Sequence, residues 1–222
     1  KSKKWLYIHT GATVSDEYMI LDAGTPNGNW KVFQPRERDL EYGISHFNGE
    51  FYILTNKDDA TNFKLLKTPE NKTGLENWQE VIAHRKDVFI EDFDVFENHL
   101  VLVEQANAQG AIRIINWATN DDHYIAFEEE AYAVQSSINP EFKIQNLRFS
   151  YTSMTTPASV FEYNMETRDR TLLKQQEILG SFKRDDYLAK RIWTTARDGT
   201  KVPMSLVYKK TTEIDKNTPL LL

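Results

Sequence analysis

A spacing that recurs about every 47 residues is the feature that most limits how this chain of 222 residues can fold. Short apolar segments begin at Trp30, Trp78, Tyr124 and Thr171, so successive segments are 48, 46 and 47 residues apart. We interpret each segment as the opening strand of a unit, because further apolar runs follow each of the first three segments at similar offsets. A period of about 40–50 residues that contains four short strands is typical of a β-propeller blade. The sequence therefore predicts an all-β fold, a partial β-propeller of four-stranded blades.

The apolar runs inside each unit indicate strands that are buried on both faces. Phe51–Leu54 and Leu100–Val103 are apolar at consecutive positions instead of alternating with polar residues. Such a run suits a middle strand of a blade, which has neighbours on both sides. Turn residues, such as Asn48-Gly49, bound these runs. The alternative is a β-sandwich with coincidental spacing, and the agreement of three consecutive steps favours the propeller.

Composition excludes several classes of function. The formal net charge of −6 argues against broad nucleic-acid binding, which requires a positive surface. No apolar run approaches the length of a membrane span, so no membrane partner is expected. The chain has no cysteine, which excludes disulfides, thiol catalysis and cysteine-ligated zinc. We expect a cytoplasmic protein, although the absence of cysteine is compatible with the periplasm as well.

The first residues match the later part of a repeat unit. Trp5–His9 and Glu17–Leu21 have the spacing of the last two strands of the later units. We therefore expect the chain to begin halfway through a blade and to leave strand edges unpaired. Unpaired edges are templates for association, so self-association through open blade edges is a further expectation.

The end of the chain departs from the repeat. Lys190–Ala196 and Lys201–Tyr208 read as two strands, and Arg197–Thr200 between them contains the Asp-Gly pair that is typical of hairpins. Pro219–Leu222 reads as the start of another buried strand. We place a domain boundary near residues 185–190, with a propeller segment over 1–186 and the beginning of a second domain over 187–222.

Two stretches resemble motifs of a known family. Tyr151–Pro157, followed by Val160-Phe161-Glu162, is similar to a motif of the prolyl oligopeptidase family in its oligopeptidase B (protease II) branch. Trp193–Tyr208 resembles a second motif of that branch, and Phe33–Arg36 and Asn217–Leu222 fit it too. The resemblance covers essentially the whole chain.

The resemblance implies a fold and an activity. Proteins of this family carry a seven-bladed propeller over an α/β-hydrolase domain, whose Ser-Asp-His triad cuts short peptides, in this branch after Arg or Lys. Residues 1–186 would then be later blades and 187–222 the first strands of the hydrolase domain. The expected partners are short basic peptides and the catalytic domain of the same protein. The propeller would restrict access by size, and this segment alone would be inactive.

The chain itself shows no catalytic, cofactor or metal residues that we can assign. Gly43–Phe47 comes nearest to the G-x-S-x-G nucleophile turn, but Phe47 replaces the second glycine, and we interpret the segment as a blade strand. The histidines have no partner at metal-ligand spacing. They are His9, His46, His84, His99 and His123.

Acidic residues and the repeat itself leave two alternatives open. Paired acids occur at Asp58-Asp59, Asp121-Asp122, Asp185-Asp186 and Glu128–Glu130. A propeller glycosidase needs two acids placed across a cleft. Adjacent acids on a strand point to opposite faces, so solvated surface is the simpler interpretation. The other alternative is a non-catalytic interaction platform, against which the tail Trp193–Tyr208 argues because it belongs to no blade.

Overall fold

The computed structural model describes residues Lys1–Leu221, and they form an all-β protein. Four antiparallel sheets follow one another along the chain, and a two-stranded hairpin comes last. The only helical segments in this described range are two short 3₁₀ turns, Leu75–Asn77 and Arg184–Asp186. Neither they nor any other described segment is a helix of the length and apolarity needed to cross a membrane. Residues 219–221 form no strand, and Leu222 lies outside the described residues.

The sheets are simple meanders of short strands. The first sheet contains β1 (Trp5–Ala12), β2 (Ser15–Asp22) and β3 (Lys31–Val32). The second contains β4 (Tyr42–Phe47), β5 (Glu50–Thr55), β6 (Lys64–Pro69) and β7 (Gln79–Ile82). The third contains β8 (Val88–Val95), β9 (His99–Ala106), β10 (Gln109–Asn116) and β11 (Asp122–Tyr124). The fourth contains β12 (Tyr132–Ser136), β13 (Asn146–Ser153), β14 (Ser159–Asn164) and β15 (Arg170–Gln175).

Four strands per repeat are confirmed, but the predicted frame of the repeat was wrong. The apolar segments at Trp30 and Trp78 lead into β3 and β7, which pair with β2 and β6 of the preceding sheets. Each such segment therefore closes a sheet instead of opening one. For the same reason the first sheet has three strands where two were expected. A period fixes the length of a repeat and leaves open the point at which one sheet ends and the next begins.

The described residues divide into two compact units, of which the first holds Lys1–Asn107, Ala111–Ile125 and Ile138–Gln145. Its core has two layers on opposite faces of β5. Phe51 and Ile53 belong to one cluster, with Phe33, which directly follows β3, and Tyr52 and Leu54 belong to the other. The prediction that Phe51–Leu54 is buried on both faces is confirmed.

A tight turn sets the register between β4 and β5. Asn48 and Gly49 both have positive φ angles, 51° and 80°, as a two-residue type I′ hairpin turn requires. A Cβ added at Gly49 would meet no atom within 4 Å. A substitution at Gly49 therefore changes stability through backbone strain and not through a steric clash.

The turn provides a test of backbone strain without steric clash. Gly49→Ala is expected to lower the free energy of unfolding by about 1 kcal/mol, because alanine is disfavoured in the left-handed region. The measurement is urea unfolding followed by tryptophan fluorescence. Gly43→Ala is the matched control, since it adds the same methyl group to the same hairpin, also with no atom within 4 Å, where φ is not positive. An equal loss in both variants would contradict the strain argument.

The second unit contains Ala108–Gly110, Ala126–Ser137 and the described residues from Asn146 onward. It includes the fourth sheet and the hairpin of β16 (Tyr187–Thr195) and β17 (Lys201–Lys209). Gly199, at φ 88°, provides the predicted Asp-Gly turn, so the strand–turn–strand prediction is confirmed. An α/β-hydrolase arrangement is not seen, because an antiparallel hairpin alone lacks the crossover helices and parallel strands that define it.

Candidate functional site

A partly buried carboxylate, Glu129, is the centre of a densely hydrogen-bonded site in the second unit. Its Oε2 atom accepts hydrogen bonds from the Tyr151 hydroxyl at 2.6 Å and the Thr156 hydroxyl at 2.8 Å. Its Oε1 atom accepts from the Ser153 hydroxyl at 2.7 Å and from the Thr155 hydroxyl. Four hydroxyl donors thus satisfy both oxygens. We call Glu129 and these four residues the hydroxyl hub.

The local sequence explains why four hydroxyls converge. Tyr151 and Ser153 point from the end of β13, and the chain then turns before β14 begins at Ser159. The Ser153 hydroxyl also accepts from the backbone N–H groups of Thr155 and Thr156, at 3.0 and 2.7 Å. Serine and threonine hydroxyls commonly stabilise turns in this way. The turn therefore presents its side chains toward one acceptor.

The hydroxyl hub keeps Glu129 ionised. Burial disfavours the charged carboxylate, but the hydrogen bonds from Thr155, Tyr151, Ser153 and Thr156 outweigh it and lower the pKa of Glu129 to about 2. The pKa of the Tyr151 hydroxyl is raised, by burial and then by its bond to the Glu129 carboxylate. Neither group titrates near neutral pH, so the site is suited to holding structure and not to proton transfer.

The acidic loop, Glu128–Glu130, also contacts the chain that follows the last sheet. The Arg184 guanidinium lies 3.6 Å from Glu129 Oε2. The backbone N–H of Arg191, in β16, donates to Glu130 Oε2 at 2.9 Å. The Arg191 guanidinium donates to Gln109 Oε1 at 2.8 Å. These contacts lie within the second unit and join β16 to the elements around the fourth sheet.

A pocket of about 340 Å³ borders the hydroxyl hub. Arg170 lies across its aromatic wall, with the guanidinium carbon 5.6 Å from the ring centroid of Phe127 and 5.3 Å from that of Phe161. Arg184 lines the pocket as well. The protein's own cations therefore occupy the places that a cationic ligand would take beside aromatic rings and carboxylates.

The first unit has a separate buried charge. The side chain of Glu104 is 1% exposed and is paired with Arg85 and, at 3.4 Å, with Arg113. The Tyr124 hydroxyl donates to Glu104 at 2.7 Å. Asp122 binds Arg113 in turn, which lowers the pKa of Asp122 and raises that of Arg113. Paired in this way, Asp122 is not a free acid facing a cleft.

Three of the other predicted surface acids, Asp58, Asp185 and Asp186, lie at the surface. Asp58 lies 2.8 Å from Lys57 and 2.9 Å from Lys64. Asp185 and Asp186 lie in the exposed 3₁₀ turn before β16. The interpretation as solvated surface describes Asp58, Asp185 and Asp186 well. It was wrong for Glu129, whose side chain is only 11% exposed.

The serine considered as a nucleophile lies in a strand, and three of the histidines considered as metal ligands each contact a carboxylate. Ser45 is in β4 opposite Tyr52, as the strand interpretation predicted. His46 is buried and lies 2.8 Å from Glu70, and burial lowers its pKa despite that carboxylate. His9 and His123 contact Asp16 and Asp121. Within Lys1–Leu221 no group of three or more histidine or acidic side chains is arranged to hold a metal ion.

Sequence reasoning missed the hydroxyl hub because Glu129 lies 22 to 27 residues from its four donors. One signal was present: the motif Tyr151–Thr156 carries five hydroxyl groups in six residues. That many donors at the end of a half-buried strand need an acceptor. The run of three glutamates in Glu128–Glu130 did not show which carboxylate would accept hydrogen bonds from these hydroxyls.

The four-stranded sheets and the motif around the hydroxyl hub place the chain in a known class. Residues 1–176 match the sequence model of the family described as prolyl oligopeptidase, N-terminal β-propeller domain. The chain therefore belongs to the prolyl oligopeptidase family, and it is a propeller-domain portion of a peptidase of that family.

Individual relatives confirm the predicted branch. Over the whole chain, 41% of residues are identical to dipeptidyl aminopeptidase BI of Pseudoxanthomonas mexicana, and 24% to Protease 2 of Moraxella lacunata. The chain spans 30% and 31% of those two proteins. Oligopeptidase B from Leishmania major superposes on 97% of the chain with a TM-score of 0.84 and 28% identity, and the chain covers 31% of it. The resemblance to the oligopeptidase B and protease II branch is confirmed.

Proposed function

We propose that this chain is the access-restricting propeller portion of a serine oligopeptidase that hydrolyses short peptides after Arg or Lys. The catalytic serine, aspartate and histidine lie outside these residues in this proposal, and the chain alone is inactive. In the whole protein, the serine attacks the peptide carbonyl while the aspartate-oriented histidine accepts its proton. The propeller's role is to admit short peptides and exclude folded proteins.

The observation that carries the proposal is the match to oligopeptidase B. That structure aligns with 97% of the chain, whereas the propeller family model ends at residue 176. The alignment thus extends past the propeller into the hairpin of β16 and β17. This supports a second domain that begins near residue 187 and leads into the α/β-hydrolase fold.

A second candidate activity is the release of dipeptides from peptide amino termini. The relative at 41% identity is named a dipeptidyl aminopeptidase, which favours this activity over internal cleavage. The two candidates share the same nucleophile chemistry and differ in whether a free amino terminus is required. A third candidate, a propeller that only binds protein partners, predicts no hydrolysis at all.

One assay of the whole protein separates these candidates. We would compare a fluorogenic Arg-amide substrate that has a blocked amino terminus with a free dipeptide X-Arg amide. Cleavage of both indicates an endopeptidase, and cleavage of the free dipeptide substrate alone indicates a dipeptidyl aminopeptidase. Labelling by a fluorophosphonate tests the serine nucleophile. Failure to cleave either substrate and failure to label would sink the peptidase proposal.

The charge of the chain gives a further prediction. With a net charge of −6, the propeller should attract cationic peptides by long-range electrostatics. We expect kcat/KM of the whole protein for an Arg peptide to fall about threefold or more between low and physiological salt, because salt screens such attraction. A peptide with the same Arg cleavage site, whose positive charge is balanced by an acidic residue elsewhere, is the control. A flat salt profile for the Arg peptide contradicts the steering hypothesis.

A further inference from the structure

The chain between the last sheet and the hairpin has little structure of its own to fix where β16 lies. Residues 176–183 contain no strand or helix, and Leu179 is 87% exposed. Gly180 has a φ of 97° and no atom within 4 Å of an added Cβ. A segment with so few packing contacts is a natural hinge. The position of β16 within the unit must therefore depend on contacts beyond the linker.

Arg191 provides such contacts through both its backbone and its side chain. It pairs with Ser205 of β17, and its N–H donates to Glu130 Oε2 at 2.9 Å. The guanidinium donates to Gln109 Oε1 at 2.8 Å and lies 5.2 Å from the ring centroid of Trp193. The strand is thus bound to the acidic loop at one point and to the tip of the β9–β10 hairpin at another.

Gln109 is itself held in place. Its Nε2 donates to the backbone oxygen of Tyr132, at the start of β12, at 2.7 Å. The amide of Gln109 therefore bridges Arg191 and Tyr132: its oxygen accepts from Arg191, and its nitrogen donates to Tyr132. We call Glu130, Gln109 and Arg191 the Arg191 latch.

We propose that Glu130 is a positioning residue: through the Arg191 latch it holds β16 against the last sheet, and release of the latch lets longer peptides reach the active site of the whole peptidase. The effect on access rests on the proposed function, since it requires that β16 begin the catalytic domain. Hydrogen bonds such as those of Arg191 to Glu130 and Gln109 hold the strand reversibly, because each is modest in water. Loss of one is expected to raise the released population about tenfold.

Hydrogen exchange of the whole protein tests the contact itself and does not depend on activity. The peptide that covers Tyr187–Thr195 is compared in the wild type, Glu130→Ala, Glu130→Gln and Glu128→Ala. We expect about tenfold faster exchange of the Arg191 amide, whose acceptor is Glu130 Oε2, in Glu130→Ala and partial rescue in Glu130→Gln, which keeps an acceptor oxygen. Glu128→Ala is the matched control, because it removes the same charge from the same loop while leaving the bond to Arg191.

Substrate length tests the consequence for access. The ratio of kcat/KM for a peptide of about 30 residues to that for a tripeptide with the same cleavage site is measured in each variant. We expect this ratio to rise about threefold or more in Glu130→Ala, and to stay at the wild-type value in Glu128→Ala. A loss of folded enzyme would lower both rates together and leave the ratio unchanged.

The outcomes separate the latch from the proposed function. Unchanged exchange of β16 in Glu130→Ala overturns the latch whatever the enzyme does. Faster exchange with an unchanged length ratio overturns its role in access. A wild-type protein that cleaves no peptide defeats the proposed function and with it the access role, while the exchange data still decide whether the latch exists.

Discussion

Replacing Phe51 by alanine is expected to lower the free energy of unfolding by about 3–5 kcal/mol, the usual loss for a large aromatic residue in a closed core. Phe51 is 0% exposed. Its ring centroid lies 4.9 Å from that of Phe33, which directly follows β3, and 5.7 Å from that of Trp5 in β1. The side chain therefore joins two sheets, and a cavity there cannot close without moving one of them.

The measurement for Phe51→Ala is urea unfolding of the whole protein, followed by tryptophan fluorescence. Val32→Ala is the control, because Val32 is 44% exposed in β3 of the same unit. Surface truncations of this kind usually change stability by about 0.5 kcal/mol or less. A loss for Phe51→Ala as small as that of the control would show that the two sheets do not depend on each other.

The second large effect concerns the hydroxyl hub. Glu129→Ala is expected to destabilise the fourth sheet by about 1–3 kcal/mol at pH 7, since a carboxyl pKa lowered from 4.5 to about 2 corresponds to at most about 3 kcal/mol and solvent screening reduces that contribution. The variant also leaves the hydroxyls of Tyr151, Ser153, Thr155 and Thr156 without this acceptor. Native-state hydrogen exchange of β13 amides measures the loss.

The pH dependence gives the test its sharpest form. Because the pKa of Glu129 is lower in the folded protein, its contribution is complete above pH 4.5 and is lost as pH falls toward 2. The difference between wild type and Glu129→Ala should therefore shrink to about half or less by pH 3. Glu128→Ala, in the same loop, should show little loss at either pH. A difference that stays constant from pH 7 to pH 3 would contradict an ionised hub.

Much of the architecture could be predicted because strands and turns depend on short-range sequence patterns. Consecutive apolar residues in Phe51–Leu54 predicted a strand buried on both faces, and the clusters on the two sides of β5 confirm it. Asn48-Gly49 and Asp198-Gly199 predicted turns, and both glycines have positive φ. These features depend on neighbours within a few residues, where steric and solvation preferences act directly.

The frame of the repeat could not be predicted in the same way. The segment at Trp78 lies between β6 and β8 along the chain, and only its pairing with β6 shows to which sheet it belongs. Likewise, the pattern of Lys190–Ala196 and Lys201–Tyr208 predicted a hairpin, which is present. It does not determine which larger sheet, if any, the hairpin joins, because that depends on strands from other parts of a protein.

The sequence by itself determined the period, the strand content and, through Tyr151–Pro157, the family. Only the tertiary structure decided what each acid does. Glu128, Glu129 and Glu130 are chemically identical neighbours, yet one carboxylate collects four hydroxyls and the next binds the N–H of Arg191. The physical reason is that a carboxylate's role is set by the donors that surround it, and here the fold brings those donors from positions 22 to 61 residues away.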